Sequence, residues 1–74
     1  MKIYRNQQGN LHKDDGPAIE DAAGYNSWWV DGKRHRIDGP AVIHADGSQE
    51  WWINDILADE LTVMLLKHSA EVGA

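Results

Sequence analysis

The 74-residue chain contains no cysteine, no phenylalanine and only two prolines. Without cysteine, neither disulfides nor a thiolate zinc site can reinforce the fold, although a chain this short is near the limit at which one hydrophobic core offsets folding entropy. Its longest apolar stretch, Val63 to Leu66, is far too short to cross a bilayer, and Met1 to Asn6 shows no apolar run after its charges. A cytoplasmic location is therefore expected. Basic residues are also scarce, seven against twelve acids, giving a net charge of -5. General binding to nucleic-acid backbones, which depends on clustered Lys and Arg, is disfavoured. The exception is local: Lys33-Arg34-His35-Arg36.

What the chain does have is a repeat. Residues 9–31 align with residues 32–54 without a gap, and 10 of the 23 positions are identical. Gly9 matches Gly32, His12 matches His35, and Asp15-Gly16-Pro17-Ala18 matches Asp38-Gly39-Pro40-Ala41. Ala22, Gly24 and Trp28-Trp29 match Ala45, Gly47 and Trp51-Trp52.

Each unit reads as strand and turn. Asp31-Gly32 and Asp46-Gly47 suit two-residue hairpin loops, because both positions accept positive φ. The Asp-Gly-Pro blocks punctuate the unit a second time, Gly supplying unusual dihedrals and Pro fixing φ. These signals predict strands near residues 2–5, 18–22, 25–31, 33–36, 41–45 and 48–54, with consecutive strands paired antiparallel. The pattern ends at Asn54, where the meander is expected to stop. A helix over residues 60–72 follows, with Asp59 as N-cap and Gly73 as C-terminal stop. Leu61, Met64, Leu65, His68 and Val72 recur at helical spacing, widened by Val63 and Leu66, and predict the stripe that covers one sheet face. The fold class is mostly β with one C-terminal α-helix (α+β): a single domain of two tandem hairpin units with a partial N-terminal strand over residues 1–58, capped by a helix over 59–72.

The run from Trp29-Val30-Asp31-Gly32-Lys33-Arg34-His35 through Ala45-Asp46-Gly47 to Trp51-Trp52 resembles MORN-type repeats, over roughly residues 3–55. It looks closest to a variant in small bacterial and bacteriophage proteins that carries Trp-Trp and His-Arg-x-Asp-Gly-Pro-Ala blocks. The resemblance implies a scaffold of successive β-hairpins used for protein association. Lipid binding is not expected of an acidic chain without a basic amphipathic face.

Duplication sorts the candidate residues. A catalytic centre is assembled once, whereas a structural bond recurs with each unit, so His12 and His35 are read as hydrogen-bonding to the turns and no catalytic residue is assigned. No ligand spacing among His12, His35 and His44 is diagnostic of a metal, and no cofactor motif is present. Trp28 and Trp51 are expected in the core, with Trp29 and Trp52 stacking on each other and on cationic stems. Alternation places Arg34 and Arg36 on one face. The expected function is a small non-enzymatic protein-binding module, acting as a bacteriophage-encoded inhibitor of a host defence or regulatory complex. Contacts would come from Trp29, Trp52, Arg34 and Arg36, rimmed by Asp14, Glu20 and Asp21. Two alternatives stand beside it: a nucleotide or phosphate-ligand sponge using the same aromatics and arginines, and a structural, self-associating module. Homodimerisation fits all three readings, since an open sheet edge and a small core both favour it.

Overall fold

A computed structural model describes residues 1–72, so the expected stop at Gly73 lies outside the described residues. The chain forms β1 (Lys2–Ile3), β2 (Ile19–Glu20), β3 (Asn26–Ser27), β4 (Trp29–Val30), β5 (Lys33–Arg34), β6 (Val42–Ile43), β7 (Gln49–Ile53), β8 (Ile56–Ala58) and α1 (Glu60–Val72). It is mostly antiparallel β-structure with one C-terminal helix. Six strands make a sheet in the order β1-β2-β3-β6-β7-β8, and β4 and β5 form a separate pair.

Two expectations about pairing are corrected. The segment 25–31 is not one strand: β3 pairs with β6, whereas β4 pairs with β5, and Trp28 between them donates its N–H to the Ala41 carbonyl. Nor does pairing stop at Asn54. Asn54 and Asp55, both at positive φ, make a two-residue turn that returns the chain as β8, with Ile53 opposite Ile56 and Trp52 opposite Leu57. This reproduces, 23 residues on, the turn at Asp31-Gly32, where Val30 faces Lys33 and Trp29 faces Arg34. Such turns place φ > 0 at both central residues, which Asn and Asp tolerate best after Gly. The Asp46-Gly47 turn differs from expectation in length. His44 N–H bonds to the Ser48 carbonyl, leaving a three-residue loop, Ala45 to Gly47, with Gly47 at φ 89°.

Backbone bonds recur at the same offset. Gly32 N–H donates to the Leu11 carbonyl as Asp55 N–H does to that of Arg34, and Lys13 N–H donates to Trp29 as Arg36 N–H does to Trp52. The glycine of each Asp-Gly-Pro block is not at positive φ. Its missing side chain makes room for a cation instead: a Cβ at Gly39 would lie 3.0 Å from the Arg36 guanidinium carbon, and one at Gly16 would lie 3.6 Å from Lys13 Nζ.

The molecule is a slab, 36 × 32 × 19 Å. Its core consists of small residues: Ala18 and Ala41, the repeat-related alanines, are both 0 % exposed, and Val42, Val63 and Ser27 are buried with them. Contrary to expectation, Trp28 and Trp51 are only half-buried.

The helix begins as its sequence dictates, with Asp59 Oδ1 accepting the Thr62 N–H at 2.8 Å as N-cap. Only part of the expected stripe faces the sheet. Val63, 1 % exposed, is the helix residue buried against β7, while Leu61, Met64, Leu65, Leu66 and Val72 remain exposed. The apolar stripe is wider than the narrow contact the slab offers, so most of it turns outward.

Candidate functional site

The N–H···O bonds of the β4–β5 and β7–β8 hairpins place Trp29 opposite Arg34 and Trp52 opposite Leu57. Directly opposed residues share a face, so each indole has its neighbour set by register. The Arg34 guanidinium lies 3.7 Å from the centre of the Trp52 ring and 5.6 Å from that of Trp29. It thereby links the second tryptophan of one unit to that of the next, through a cation–π contact favoured for a planar, weakly hydrated guanidinium. No direct Trp29–Trp52 ring contact is present among the described residues; the expected stacking on an arginine is what joins them.

The polar atoms around this platform are committed. Arg34 Nε donates to Asp55 Oδ1 at 2.9 Å, and that hydrogen bond is the main cause holding the Asp55 carboxyl below its ordinary range. Trp29 Nε1 donates to Ser27 Oγ at 2.8 Å, and Trp52 Nε1 donates to Glu50 Oε1 at 2.9 Å, the same i→i-2 bond in both units. The copies differ in the acceptor. Ser27 is fully buried, whereas Glu50 also bonds His44 Nε2, whose ring lies 5.7 Å from that of Tyr25. The His44 bond, followed by that of Trp52, pulls the Glu50 carboxyl down.

Arg36 does not join Arg34. It stacks 3.7 Å over Trp28 and donates through Nη1 to the Pro40 carbonyl at 3.1 Å. Burial lowers its pKa, partly offset by Asp38. Trp28 and Arg36 line a groove of about 520 Å³ between the two Asp-Gly-Pro loops, together with Lys13, Asp14, His35 and Asp38.

The three acids named from sequence do not ring the platform. Asp14 accepts from His12 Nε2 at 2.8 Å and lies in that groove. Glu20 is on β2, separated from β7 in the sheet by β3 and β6. Asp21 caps the β2–β3 loop by accepting the N–H groups of Ala23 and Tyr25. Glu50 touches the platform through Trp52 Nε1, and two further residues complete it: Asp55, bonded to Arg34, and the apolar Leu57 opposite Trp52. Both occupy positions 23 residues beyond Gly32 and Arg34, so aligning the repeat through its last turn is the signal that finds them.

The paired histidines behave as scaffold. His12 Nδ1 accepts the Asp31 N–H at 3.0 Å, and His35 Nδ1 accepts the Asn54 N–H at 3.1 Å. The turn each one braces is the one closing its unit, not the Asp-Gly-Pro loop. Among the described residues no cluster of three His, Asp or Glu side chains is placed to hold a metal ion. No helix there is long and apolar enough to cross a membrane.

No protein-family model, curated protein or solved structure matches the chain.

Proposed function

We propose that the chain is a small non-enzymatic protein-binding module, a tandem array of β-hairpins whose contact face is the platform of Trp29, Arg34, Trp52 and Leu57. One observation carries this reading: a guanidinium spans two half-buried indoles at the surface, with Leu57 66 % exposed beside them. Trp and Arg anchors next to exposed apolar area are the composition of binding hot spots. The indole N–H groups and Arg34 Nε are already bonded, so the platform presents mainly flat apolar and π surface, with the Arg34 Nη groups as its further donors. That suits a folded protein surface better than a phosphate. A nucleotide sponge would have to hold phosphate with the Arg34 Nη groups, beside the Asp55 carboxylate whose charge opposes an anion.

The role of a bacteriophage-encoded inhibitor acting on a host complex in the cytoplasm is part of the proposal and rests on the resemblance to phage and bacterial hairpin-repeat proteins. Immobilised chain and its Trp52→Ala and Arg34→Ala variants, exposed to bacterial lysate, test it. A protein retained by the wild type and lost from both folded variants is expected. Equal recovery from all three would overturn the assignment of the face, and stabilisation of the chain by nucleotides in a thermal-shift screen would favour the sponge.

A further inference from the structure

The helix buries Val63 and leaves most of its other apolar residues in solvent. Its three charged residues, Glu60, Lys67 and Glu71, border the cleft against its own chain, where Trp51 and Val63 also lie. Lys67 Nζ reaches Asp38 at 3.3 Å and Glu71 at 3.9 Å. At 100° per residue, Leu61, Leu65 and Val72 point away from that cleft, which Met64 and His68 also border. Leu61, Leu65 and Val72 are 66, 59 and 69 % exposed. An ordinary surface helix turns its leucines inward; this one leaves Leu61 and Leu65 in solvent, although Glu60 and Glu71 are exposed as well.

The outward stripe continues into the sheet edge. Leu66 and Thr62 form one wall of an apolar groove of about 490 Å³ whose other wall is Ile53 and Ile56. Ile56 and Leu57 stand where the preceding unit has Lys33 and Arg34, so the basic pair is replaced by an apolar pair in the strand that ends the sheet. β8 also carries an unpaired backbone edge, which invites a further strand.

We propose that a second copy of this chain covers the helix, through a two-fold interface centred on Leu61 and Leu65. Area supports that occupant. Ile56, Leu61, Leu65, Leu66 and Val72 are 42–70 % exposed, about 500 Å² together, which matches the ~500 Å² of apolar surface that each partner brings to a standard-size homodimer. Charge supports it as well. A two-fold axis sets a patch against itself, and a stripe free of ionised groups can meet its own image without repulsion. Antiparallel helices also oppose their dipoles. The size of the chain adds a reason: four buried hydrophobic side chains make a small core, and a second copy is the partner always present at equal concentration.

The interface is centred on Leu61 and Leu65 and meets the platform only at Leu57, which lines the groove; the leucine variants and Trp52→Ala each alter one surface, so the two proposals fail separately. The test is the solution mass by light scattering and sedimentation over micromolar to millimolar concentrations, for the wild type, Leu65→Glu, Leu61→Glu and Trp52→Ala. Twice the 8.3 kDa chain mass is expected for the wild type and Trp52→Ala. Each leucine variant should weaken the dimer by about 100-fold, the loss typical of a hot-spot side chain, with circular dichroism unchanged because neither leucine is buried. A wild type that stays monomeric throughout would overturn the proposal. A dimer that survives both leucine variants, or is lost in folded Trp52→Ala, would do so too.

Discussion

Asn54 gives its backbone N–H to Nδ1 of His35 at 3.1 Å, closing a bond across 19 residues that brings the end of the second unit back to its start. His12 does the same for Asp31 at 3.0 Å. Replacing His35 with Ala removes the acceptor but leaves the turn exposed enough for water to substitute, so the expected cost is about 1 kcal/mol. His12→Ala should cost a similar amount. Chemical denaturation of each variant, with a lower midpoint and unchanged slope, is the measurement; no change in either would mean the bond is incidental.

Gly39 and Gly16 are equivalent in sequence but not in crowding. Gly39→Ala would push its Cβ to 3.0 Å from the Arg36 guanidinium carbon and displace that side chain from Trp28 and the Pro40 carbonyl. Overpacking of this kind costs about 1–3 kcal/mol. At Gly16 the corresponding contact is 3.6 Å, ordinary van der Waals distance, so Gly16→Ala should be nearly neutral. Equal midpoints for the two variants in urea would show that Arg36 moves aside freely.

Asp55 occupies φ 69° in a turn position where its repeat-mate is Gly32. It trades backbone ease for the bond to Arg34. Asp55→Gly loses the carboxylate but relieves the backbone; Asp55→Ala loses both. The glycine variant should therefore be more stable than the alanine variant by about 1 kcal/mol, read as a difference in unfolding midpoint. In both, Trp52 fluorescence should change as Arg34 is released.

The pH dependence has a defined sign. The Glu50 carboxyl is held below its ordinary value by the hydrogen bond with His44 and then by that from Trp52. A depressed carboxylate contributes stability that is present above its unfolded pKa and is lost as pH falls through its folded value. Melting temperature should accordingly fall as pH drops below about 4.5, the ordinary glutamate range. Glu50→Gln should flatten that fall, and a variant with the wild-type acid profile would assign it to the other depressed carboxylates, Asp46, Asp55 and Asp59.

The strands around the repeat, the Asp31-Gly32 turn and the Asp59 cap were legible in the residues because each has a local cause: alternation, a positive-φ dipeptide, a side-chain acceptor. β8 was not, since Asn54-Asp55 makes without glycine the turn that Asp31-Gly32 makes with it, and Ile56-Leu57 does not look like Lys33-Arg34. The break at Trp28 was hidden for a different reason. Whether a strand keeps its partner is decided by long-range pairing, which local pattern does not encode. The helix stripe is apolar as its periodicity says, yet only its Val63 edge is buried on the sheet, because periodicity gives the width of a stripe and not how much of it is covered. On the platform, Trp29, Arg34 and Trp52 were foreseen together; Arg36 was misplaced because alternation along residues 33–36 does not survive past the short β5.

Both units end in a two-residue turn braced by a histidine, so the chain meets the same local geometry after residue 54 as after residue 31. The molecule is in that respect a ruler with a repeating graduation. A further copy of residues 32–54 spliced between Asn54 and Asp55 would repeat β5, β6 and β7, the last two adding roughly 10 Å to the main sheet. It would also add one more indole to the row of Trp29 and Trp52, while leaving the terminal helix an equivalent strand to sit on. Gene duplication could thus enlarge the binding face in fixed increments, without redesign of either end.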